Sequence, residues 1–385
     1  MLPFTYAVRN LFRSPSRLAQ TVGGSALVVL LVMAAVAIND GMKRVLAASG
    51  SDNNVILVGA GSEESIQRSE VPESSAGIAE AAVYGIVEKL GVRAVSSEIH
   101  YMNYLVFEDG HKAQALLRGV TPQALRVHPE VRLVSGRFPS PGEVMVGRLA
   151  WRKLGVAEAS LVPGTSVTLD GVKLRVSGVF AAPGTVLESE VWTTLGDLRV
   201  LAKRETLSCV ALKLESAEDF PDVEIFTKQR LDLELSALRE SDYYAQLNAF
   251  FRPLRAMTWI TAGLIVIGAI FGGINTLYAA FASRVRELAT LQCIGYGRFA
   301  LLVSLIQEST LACLTGTLVA SLVAMFILDG QTIPFSIGAF TLEISPKVAT
   351  TGIVTGLLLG ILGTLPPAIR CLKPALPVAL RASSI

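Results

Sequence analysis

The chain has 385 residues, of which 51% are hydrophobic and only 17% charged, and its mean hydropathy is +0.51. Soluble globular domains carry about 25% charged residues, so this composition excludes an ordinary soluble enzyme and indicates a membrane protein. The net charge is +2, but residues 40–255 hold 24 basic against 28 acidic residues without a basic patch, which disfavours nucleic acid as a partner.

Four charge-poor runs are each long enough to cross about 30 Å of hydrocarbon as a helix. We assign them as transmembrane helices at residues 18–39, 256–283, 299–328 and 348–369. The first run is longer than the apolar core of a secretory signal peptide, so we expect an uncleaved signal anchor. Residues 1–17 are expected to form an amphipathic helix before it.

Basic residues flank the predicted spans on one side of the membrane. They precede the first span, separate the second from the third and follow the fourth, at Arg9, Arg13, Arg17, Arg284, Arg286, Arg298, Arg370, Lys373 and Arg381. By the positive-inside rule, both termini and residues 284–298 are expected on the cytoplasmic side of the membrane. Residues 370–385 then form a cytoplasmic tail, residues 329–347 a short outer loop, and residues 40–255 an extracytoplasmic domain.

The sequence pattern of the predicted outer domain is typical of a mixed α/β fold, inserted between the first and second transmembrane helices. Short apolar strands begin at residues 53–59, and Asp109-Gly110 and Asp170-Gly171 supply the positive φ angles of tight hairpins. Apolar residues spaced by three and four favour a helical stalk over residues 221–257. Residues 40–255 contain 24 basic and 28 acidic residues and no basic patch. The carboxylates of this domain are expected on a solvated face.

No catalytic or metal-binding pattern stands out in this domain. His100, His111 and His128 lack ligand spacing and are predicted to lie on the surface or in hairpins. The four cysteines indicate no disulfide framework. We therefore expect no catalytic residue, no metal site and no enzymatic activity in this chain.

Residues 284–298 form a charged amphipathic segment between two apolar runs. The apolar stripe consists of Val285, Leu288, Leu291 and Ile294, and its polar edges are Arg284, Arg286 and Glu287. Gly295 can end this helix before the third span begins. Such a helix can insert into a groove on a soluble partner, whereas a connector lying on lipid headgroups has the same pattern.

The sequence SRVRELATLQCIGYGRFALLVSLIQESTLACLTG, which starts at Ser283, resembles the signature of the MacB/FtsX/LolC superfamily of ABC permeases. The matching positions are Arg286, Glu287, Leu288, Leu291, Ile294, Gly295, Arg298 and Glu308, whereas Ala289, Gln292, Tyr296 and Gly297 depart from the usual residues. The runs RGV, GEVMVG, PGTSVTLDG and VSGVF follow the order of the MacB-type outer domain, and PPAIRCLKPALPVALRA resembles the closing element.

The resemblance implies a non-catalytic permease subunit that is driven by two copies of a separate ABC ATPase. The residues implied in ATPase coupling are Arg284, Arg286, Glu287, Leu288, Leu291, Ile294, Gly295 and Arg298, with further cytoplasmic contacts from Arg9 and Arg13. These 385 residues contain no G-x-x-x-x-G-K-[ST] phosphate loop, so ATP and magnesium are expected to bind the partner ATPase and no cofactor to bind this chain directly. A second permease copy, or a related permease, would complete the assembly.

Three uses of such a permease compete. The MacB-type order of the outer domain favours efflux with a periplasmic adaptor and an outer-membrane channel. Lipoprotein extraction of the LolC/LolE type is the second alternative. The third is signalling of the FtsX type to a cell-wall hydrolase, although those permeases usually have a smaller outer domain. A membrane-anchored enzyme has no supporting residues.

Glu308 lies inside the third predicted span, about 14 Å from its start at 1.5 Å per residue and hence near mid-bilayer. An ionisable residue is costly there, which makes Glu308 a functional candidate. We expect it to couple or pack helices, with Gln307 or a hydroxyl as partner. A protonated side chain hydrogen-bonded to a neighbouring span is the alternative, and a proton relay is disfavoured because the predicted spans hold no second charge.

Small residues recur on single faces of two predicted spans. They are Gly268 and Gly272 in the second span and Gly352, Gly356 and Gly360 in the fourth. Glycines at this spacing let helix backbones approach closely. They indicate helix packing, and the sequence leaves open whether the packing lies within one subunit or between two.

Overall fold

The computed structural model describes residues 4–381, so the first three residues of the predicted N-terminal helix and the last four of the predicted tail lie outside the described residues. The chain divides into two compact units. The helical unit comprises Met1–Asp40, Pro253–Gln331 and Leu342–Ile385, and the α/β unit comprises Gly41–Arg252 and Thr332–Thr341.

Helices occur along the whole described chain, whereas strands occur only within residues 54–239 and 332–341. The helices are α1 (Phe4–Leu11), α2 (Pro15–Ala48), α3 (Ser74–Ala82), α4 (Ala124–Val127), α5 (Ala150–Leu154), α6 (Leu195–Leu201), α7 (Phe220–Gln229), α8 (Glu240–Phe250), α9 (Arg252–Ala282), α10 (Val285–Cys293), α11 (Arg298–Val323), α12 (Pro346–Leu372) and α13 (Leu376–Arg381). The strands are β1 (Asn54–Gly59), β2 (Glu88–Lys89), β3 (Val92–Arg93), β4 (Val95–Val106), β5 (Lys112–Val120), β6 (Arg132–Gly136), β7 (Glu143–Gly147), β8 (Ser166–Leu169), β9 (Val172–Ala181), β10 (Val191–Thr194), β11 (Cys209–Lys213), β12 (Leu235–Arg239), β13 (Thr332–Phe335) and β14 (Gly338–Thr341).

Four helices are long and apolar enough to cross a membrane. They are Pro15–Ala48, Arg252–Ala282, Arg298–Leu328 and Pro346–Leu372, the third of which includes a π-helical turn at Ala324–Leu328. Helix α2 continues to Ala48, well beyond the run ending at residue 39. Met42, Val45 and Leu46 are buried in this extension, and burial of these apolar side chains stabilises the helix there.

The α/β unit is built on a ten-stranded mixed sheet with the order β12-β1-β11-β4-β5-β10-β7-β9-β6, to which β8 is added by pairing with both β4 and β9. The pairings of β4, β5, β10, β7, β9 and β8 form a closed ring. The main core of the unit includes Leu57, Ile99, Leu117, Leu169 and Leu212, all completely buried. The sheet therefore holds side chains from distant parts of the sequence at fixed positions.

Two predicted hairpins are confirmed and one predicted helix is wrong. The β4–β5 and β8–β9 pairs turn at Gly110 and Gly171, which have φ angles of +81° and +83°. The helix expected over residues 221–257 is interrupted by β12, which pairs with β1 from Leu235 to Arg239. Glu234 has φ +47°, so the backbone leaves the helical region there and supplies an edge strand to the sheet.

The loop expected at residues 329–347 contains a β-hairpin that belongs to the α/β unit. Strands β13 and β14 pair from Thr332↔Thr341 to Phe335↔Gly338. Arg152 of α5 donates a hydrogen bond to Thr332, and the Nζ atom of Lys153 donates to the carbonyl oxygen of Ser336 at 3.2 Å. The segment between α11 and α12 is therefore anchored on α5.

Candidate functional site

Six polar residues join four helices of the helical unit into one group, which we call the ion-pair cluster. Its members are Asn10, Arg13, Arg17, Arg284, Glu287 and Glu308. They come from α1, the turn after it, α2, the residue before α10, α10 itself and α11. The cluster therefore ties the segment between α9 and α11 to the first helices of the chain.

Glu308 is the buried centre of this cluster. Its carboxylate lies 3.2 Å from Arg17 and 3.2 Å from Arg284, and it accepts a hydrogen bond from the side-chain amide of Asn10. The side chain of Glu308 is only 10% exposed, so the two guanidinium groups compensate a charge that would be costly unpaired. The expectation that Gln307 or a hydroxyl would be its partner is wrong.

The position of Glu308 explains this pairing. It is the eleventh residue of α11, about 15 Å from the start at 1.5 Å per residue, whereas twenty residues follow it before the helix ends at Leu328. Arginines at the starts of α2 and α10 can reach that depth because their side chains are long. Sequence reasoning missed the pairing because Arg17 and Arg284 lie outside the predicted spans.

Glu287 forms the second anion of the cluster. It accepts hydrogen bonds from Arg13 at 2.8 Å, from Arg284 at 3.3 Å and from the hydroxyl group of Tyr6 at 3.5 Å. Burial lowers the pKa of Arg284, but the nearby carboxylates of Glu308 and Glu287 raise it more. The pKa therefore lies above its usual value. Arg284 therefore stays charged and bridges both anions.

The predicted apolar stripe is used mostly inside the chain. Leu288 is 3% exposed and packs with Phe281, Leu301 and Leu372, while Val285 and Leu291 are partly buried against the same group. Ile294, by contrast, is 70% exposed at the end of α10. A partner can reach Ile294 without rearrangement, but it cannot reach Leu288.

The remaining predicted coupling residues are accessible. Arg286, Gly295 and Arg298 are exposed, and Gly295 has φ +107°, a conformation that favours glycine and ends α10. Arg9 is exposed on α1, and the Arg13 side chain is 68% exposed despite its ion pair. The exposed surface of this segment is thus basic with an apolar tip.

The five predicted packing glycines separate into two groups. A Cβ atom at Gly352 would lie 2.9 Å from Met33, and one at Gly360 would lie 2.7 Å from the Thr310 backbone. A Cβ at Gly356 would collide with Thr317. The glycines of α12 therefore pack against α2 and α11 within this chain.

Gly268 and Gly272 of α9 behave differently. Among the described residues, and apart from the neighbouring backbone of α9 itself, no atom lies within 4 Å of a Cβ built at either position. Only 6% of the most apolar window of α9 is buried, against 33–44% for the other three long helices. Gly272 also borders a half-open groove of about 530 Å³ that is lined by α2, α9, α11 and α12.

A second polar group, which we call the buried network, lies inside the α/β unit. Glu98 and His100 share one face of β4 because they are two residues apart. The sheet register places Cys209 of β11 opposite Glu98 and Arg118 of β5 opposite His100. Four strand residues separated by up to 111 positions are thereby brought onto one face of the sheet.

Arg118 holds two carboxylates of this network. It donates to both oxygens of Glu190 at 2.8 and 2.9 Å and to one oxygen of Glu98 at 3.0 Å. The indole nitrogen of Trp192 donates to Glu190 at 2.8 Å. Burial opposes the charge of Glu98, but Arg118 and the hydrogen bond with His100 hold its pKa well below the usual range.

His128 and Glu240 extend the network to the start of α8. The ring of His128 lies 3.3 Å from Glu130, 3.7 Å from Glu240 and 3.8 Å from Glu98. Burial opposes protonation of His128, but these carboxylates raise its pKa to about 10. Asn54 donates to Glu240 at 2.8 Å.

The prediction of surface histidines and solvated carboxylates is therefore wrong for this network. His100 and His128 are 7% and 2% exposed, whereas His111 lies exposed in a hairpin as predicted. No local pattern indicates this network, because the compensating charges come from separate strands and meet only through the sheet register.

Comparison with known families places this geometry in context. Residues 18–225 match the MacB-like periplasmic core domain family, and residues 259–376 match the FtsX-like permease C-terminal family. The chain belongs to the MacB/FtsX-type family of ABC transporter permeases. The permease is 21% identical over 391 residues to the uncharacterized ABC transporter permease YknZ of Bacillus subtilis (strain 168), with 95% of both chains covered.

Two solved structures resemble part of the permease. The periplasmic region of MacB from Actinobacillus actinomycetemcomitans is 14% identical with a TM-score of 0.39, over 52% of this chain and 94% of that one. The extracellular domain of the noncanonic ABC-type transporter YknZ from Gram-positive bacteria is 13% identical with a TM-score of 0.38, over 49% of this chain and 100% of that one.

Proposed function

We propose that the permease couples ATP hydrolysis by a separate ATPase subunit to movement of its α/β unit, and that the exposed end of α10 is the contact. The observation that carries this proposal is the placement of Ile294. It is 70% exposed between Arg286 and Arg298, while the rest of the stripe is buried or partly buried in the chain. An exposed apolar side chain with a basic rim is typical of a protein contact.

The ion-pair cluster supports a mechanical role for this contact. A force on α10 reaches Glu287 in its first turn, and Arg284 links Glu287 to Glu308 of α11. Arg13 and Arg17 pass the same force to the starts of the first two helices. In this proposal Glu287 positions α10 and does not itself need to touch the ATPase.

The chain passes between the helical unit and the α/β unit at four points, after residues 40, 252, 331 and 341. These are the covalent routes by which displaced helices would pull on the α/β unit. The anchoring of the β13–β14 hairpin on Arg152 and Lys153 would let α11 and α12 share this load.

The contact can be tested by copurification with the ATPase. Ile294→Glu should reduce recovery of the complex by at least about tenfold, since losing an interface anchor costs about 2 kcal/mol or more. Leu231→Glu is the matched control, because Leu231 is 78% exposed in the α/β unit. Equal recovery of ATPase with both variants would refute the assigned contact.

We further propose that the permease works as a dimer whose seam includes α9. The open glycines Gly268 and Gly272 and the low burial of α9 support a second copy of this chain as the occupant. Gly272→Leu should weaken the dimer in detergent, whereas Gly23→Leu, at an open glycine of α2, should not. Unchanged dimerisation by Gly272→Leu would remove α9 from the seam.

The match to the MacB-like periplasmic core domain supports export, with a periplasmic adaptor and an outer-membrane channel, as the use of this motion. Deletion of the gene should then sensitise cells to an exported compound. Lipoproteins retained in the inner membrane would instead indicate extraction, and a cell-wall defect without any transported species would indicate signalling. Both results would contradict export.

A further inference from the structure

We propose that Glu98, His100 and Cys209 of the buried network form a binding site for a divalent transition metal of the zinc type. Nothing in the permease function requires such a site, so the inference goes beyond the proposed function. It combines three donors that zinc prefers, namely a carboxylate oxygen, an imidazole nitrogen and a thiolate sulfur.

The distances among these donors fit one metal ion. Their ligand atoms all lie within 4.8 Å of one another. His100 Nε2 lies 3.1 Å from Glu98 Oε2 and 3.9 Å from Cys209 Sγ. Zinc bonds of about 2.0–2.3 Å in tetrahedral geometry place neighbouring donors about 3.3–3.6 Å apart, so small side-chain shifts close the set.

The strand geometry prepares this arrangement. Glu98 and His100 lie on one face of β4, and Cys209 is the register partner of Glu98 on β11. All three side chains are at least 90% buried in the sheet. Arg118 donates to Glu98 Oε2, the oxygen that also faces His100, and so orients the carboxylate, as outer residues do at metal sites.

Unpartnered polar atoms point independently to a ligand at this position. Within the described chain, Glu98 Oε1 and His128 Nε2 are buried without a hydrogen bond and face each other at 3.8 Å, beyond hydrogen-bond distance. These residues line the same small cavity of about 10 Å³ as His100 and Cys209. The His128 ring also pairs with Glu130 and Glu240, so His128 lies beside the three donors and is not itself a ligand.

The charge of the network also favours a cation. Three carboxylates that are at most 2% exposed, those of Glu98, Glu190 and Glu240, share this interior with the cationic side chains of Arg118 and His128. These carboxylates outnumber the two cations, so one negative charge stays uncompensated in a desolvated interior. A divalent ion supplies the opposite charge. On binding, the Cys209 thiol releases its proton to solvent and the sulfur binds as thiolate.

Cobalt(II) is a suitable probe because thiolate ligation produces a charge-transfer band in the near ultraviolet. The full chain, purified in detergent and washed with chelator, should bind one cobalt ion and show this band. Cys209→Ser should abolish the band. Cys293→Ser, at an exposed free cysteine, should retain it and serves as the matched control.

A second readout protects the test against misfolding. Zinc should raise the melting temperature of the wild-type chain but not of Cys209→Ser, and His100→Gln should weaken zinc binding by at least about tenfold. The site would be refuted by a wild-type chain that binds no cobalt, or by a band that persists in Cys209→Ser. Zinc stabilisation that is equal in the wild-type chain, Cys209→Ser and His100→Gln would likewise overturn it.

Discussion

Replacing Glu308 by glutamine probes the ion-pair cluster with the smallest steric change. The substitution keeps the size of the side chain and its ability to accept from Asn10, but removes the negative charge between Arg17 and Arg284. Both arginines then lose their buried partner. Because the cluster joins α1 to α11, the first consequence should be local opening of α1.

The magnitude follows from burial. Removing one member of a fully buried ion pair costs about 3–5 kcal/mol. The Arg17 side chain is 22% exposed and can turn towards solvent, whereas Arg284 is 11% exposed and cannot do so easily. We therefore expect about 2–3 kcal/mol of lost local stability, with the lower value applying to α1 because Asn10 keeps a partner.

Hydrogen–deuterium exchange of the detergent-purified chain measures this opening directly. A loss of about 2 kcal/mol should accelerate exchange in residues 4–11 by about 30-fold. Glu158→Gln, at an exposed glutamate of the α/β unit, is the control and should leave exchange unchanged. If both variants exchange alike in α1, the cluster does not hold that helix, and the proposed path through Glu308 fails.

Two further substitutions test the packing and the buried network. Gly360→Ala should destabilise the helical unit by about 1–3 kcal/mol, because its Cβ would meet the Thr310 backbone at 2.7 Å. Gly268→Ala is the control, since a Cβ there has open space. Melting temperatures in detergent compare the two variants. Arg118→Ala should destabilise the α/β unit by about 3–5 kcal/mol, because it leaves buried carboxylates without their cation. Arg175→Ala, at an exposed position of β9, should change stability by less than about 0.5 kcal/mol. Urea unfolding followed by tryptophan fluorescence distinguishes the two variants.

Local patterns in the sequence were sufficient for the features that depend on neighbouring residues. Long apolar runs predicted the four long helices, because a membrane-spanning helix satisfies its own backbone hydrogen bonds. Asp109-Gly110 and Asp170-Gly171 predicted two hairpins, because the turn chemistry lies within the turn itself. The family signature from Arg286 to Glu308 was equally local.

Tertiary structure decided everything that depends on partners distant in sequence. Gly268 and Gly360 both belong to glycine pairs with the same spacing in apolar helices. A Cβ at Gly268 has open space, whereas one at Gly360 would meet the Thr310 backbone. Residues 235–239 became a strand because β1 offered an unpaired edge, which outweighed their helical spacing. Ile294 and Leu288 occupy the same stripe, yet only packing against other helices separates an exposed contact from a core residue.

The charged residues show the same division most clearly. Composition and charge placement by themselves determined that this chain is a membrane protein with a basic segment between two apolar helices. The partners of Glu308, and the meeting of Glu98, His100 and Cys209, were decided only by the fold. A buried charge is stable only beside its compensating group, and that group is brought near by helix packing or sheet register, neither of which the local sequence records.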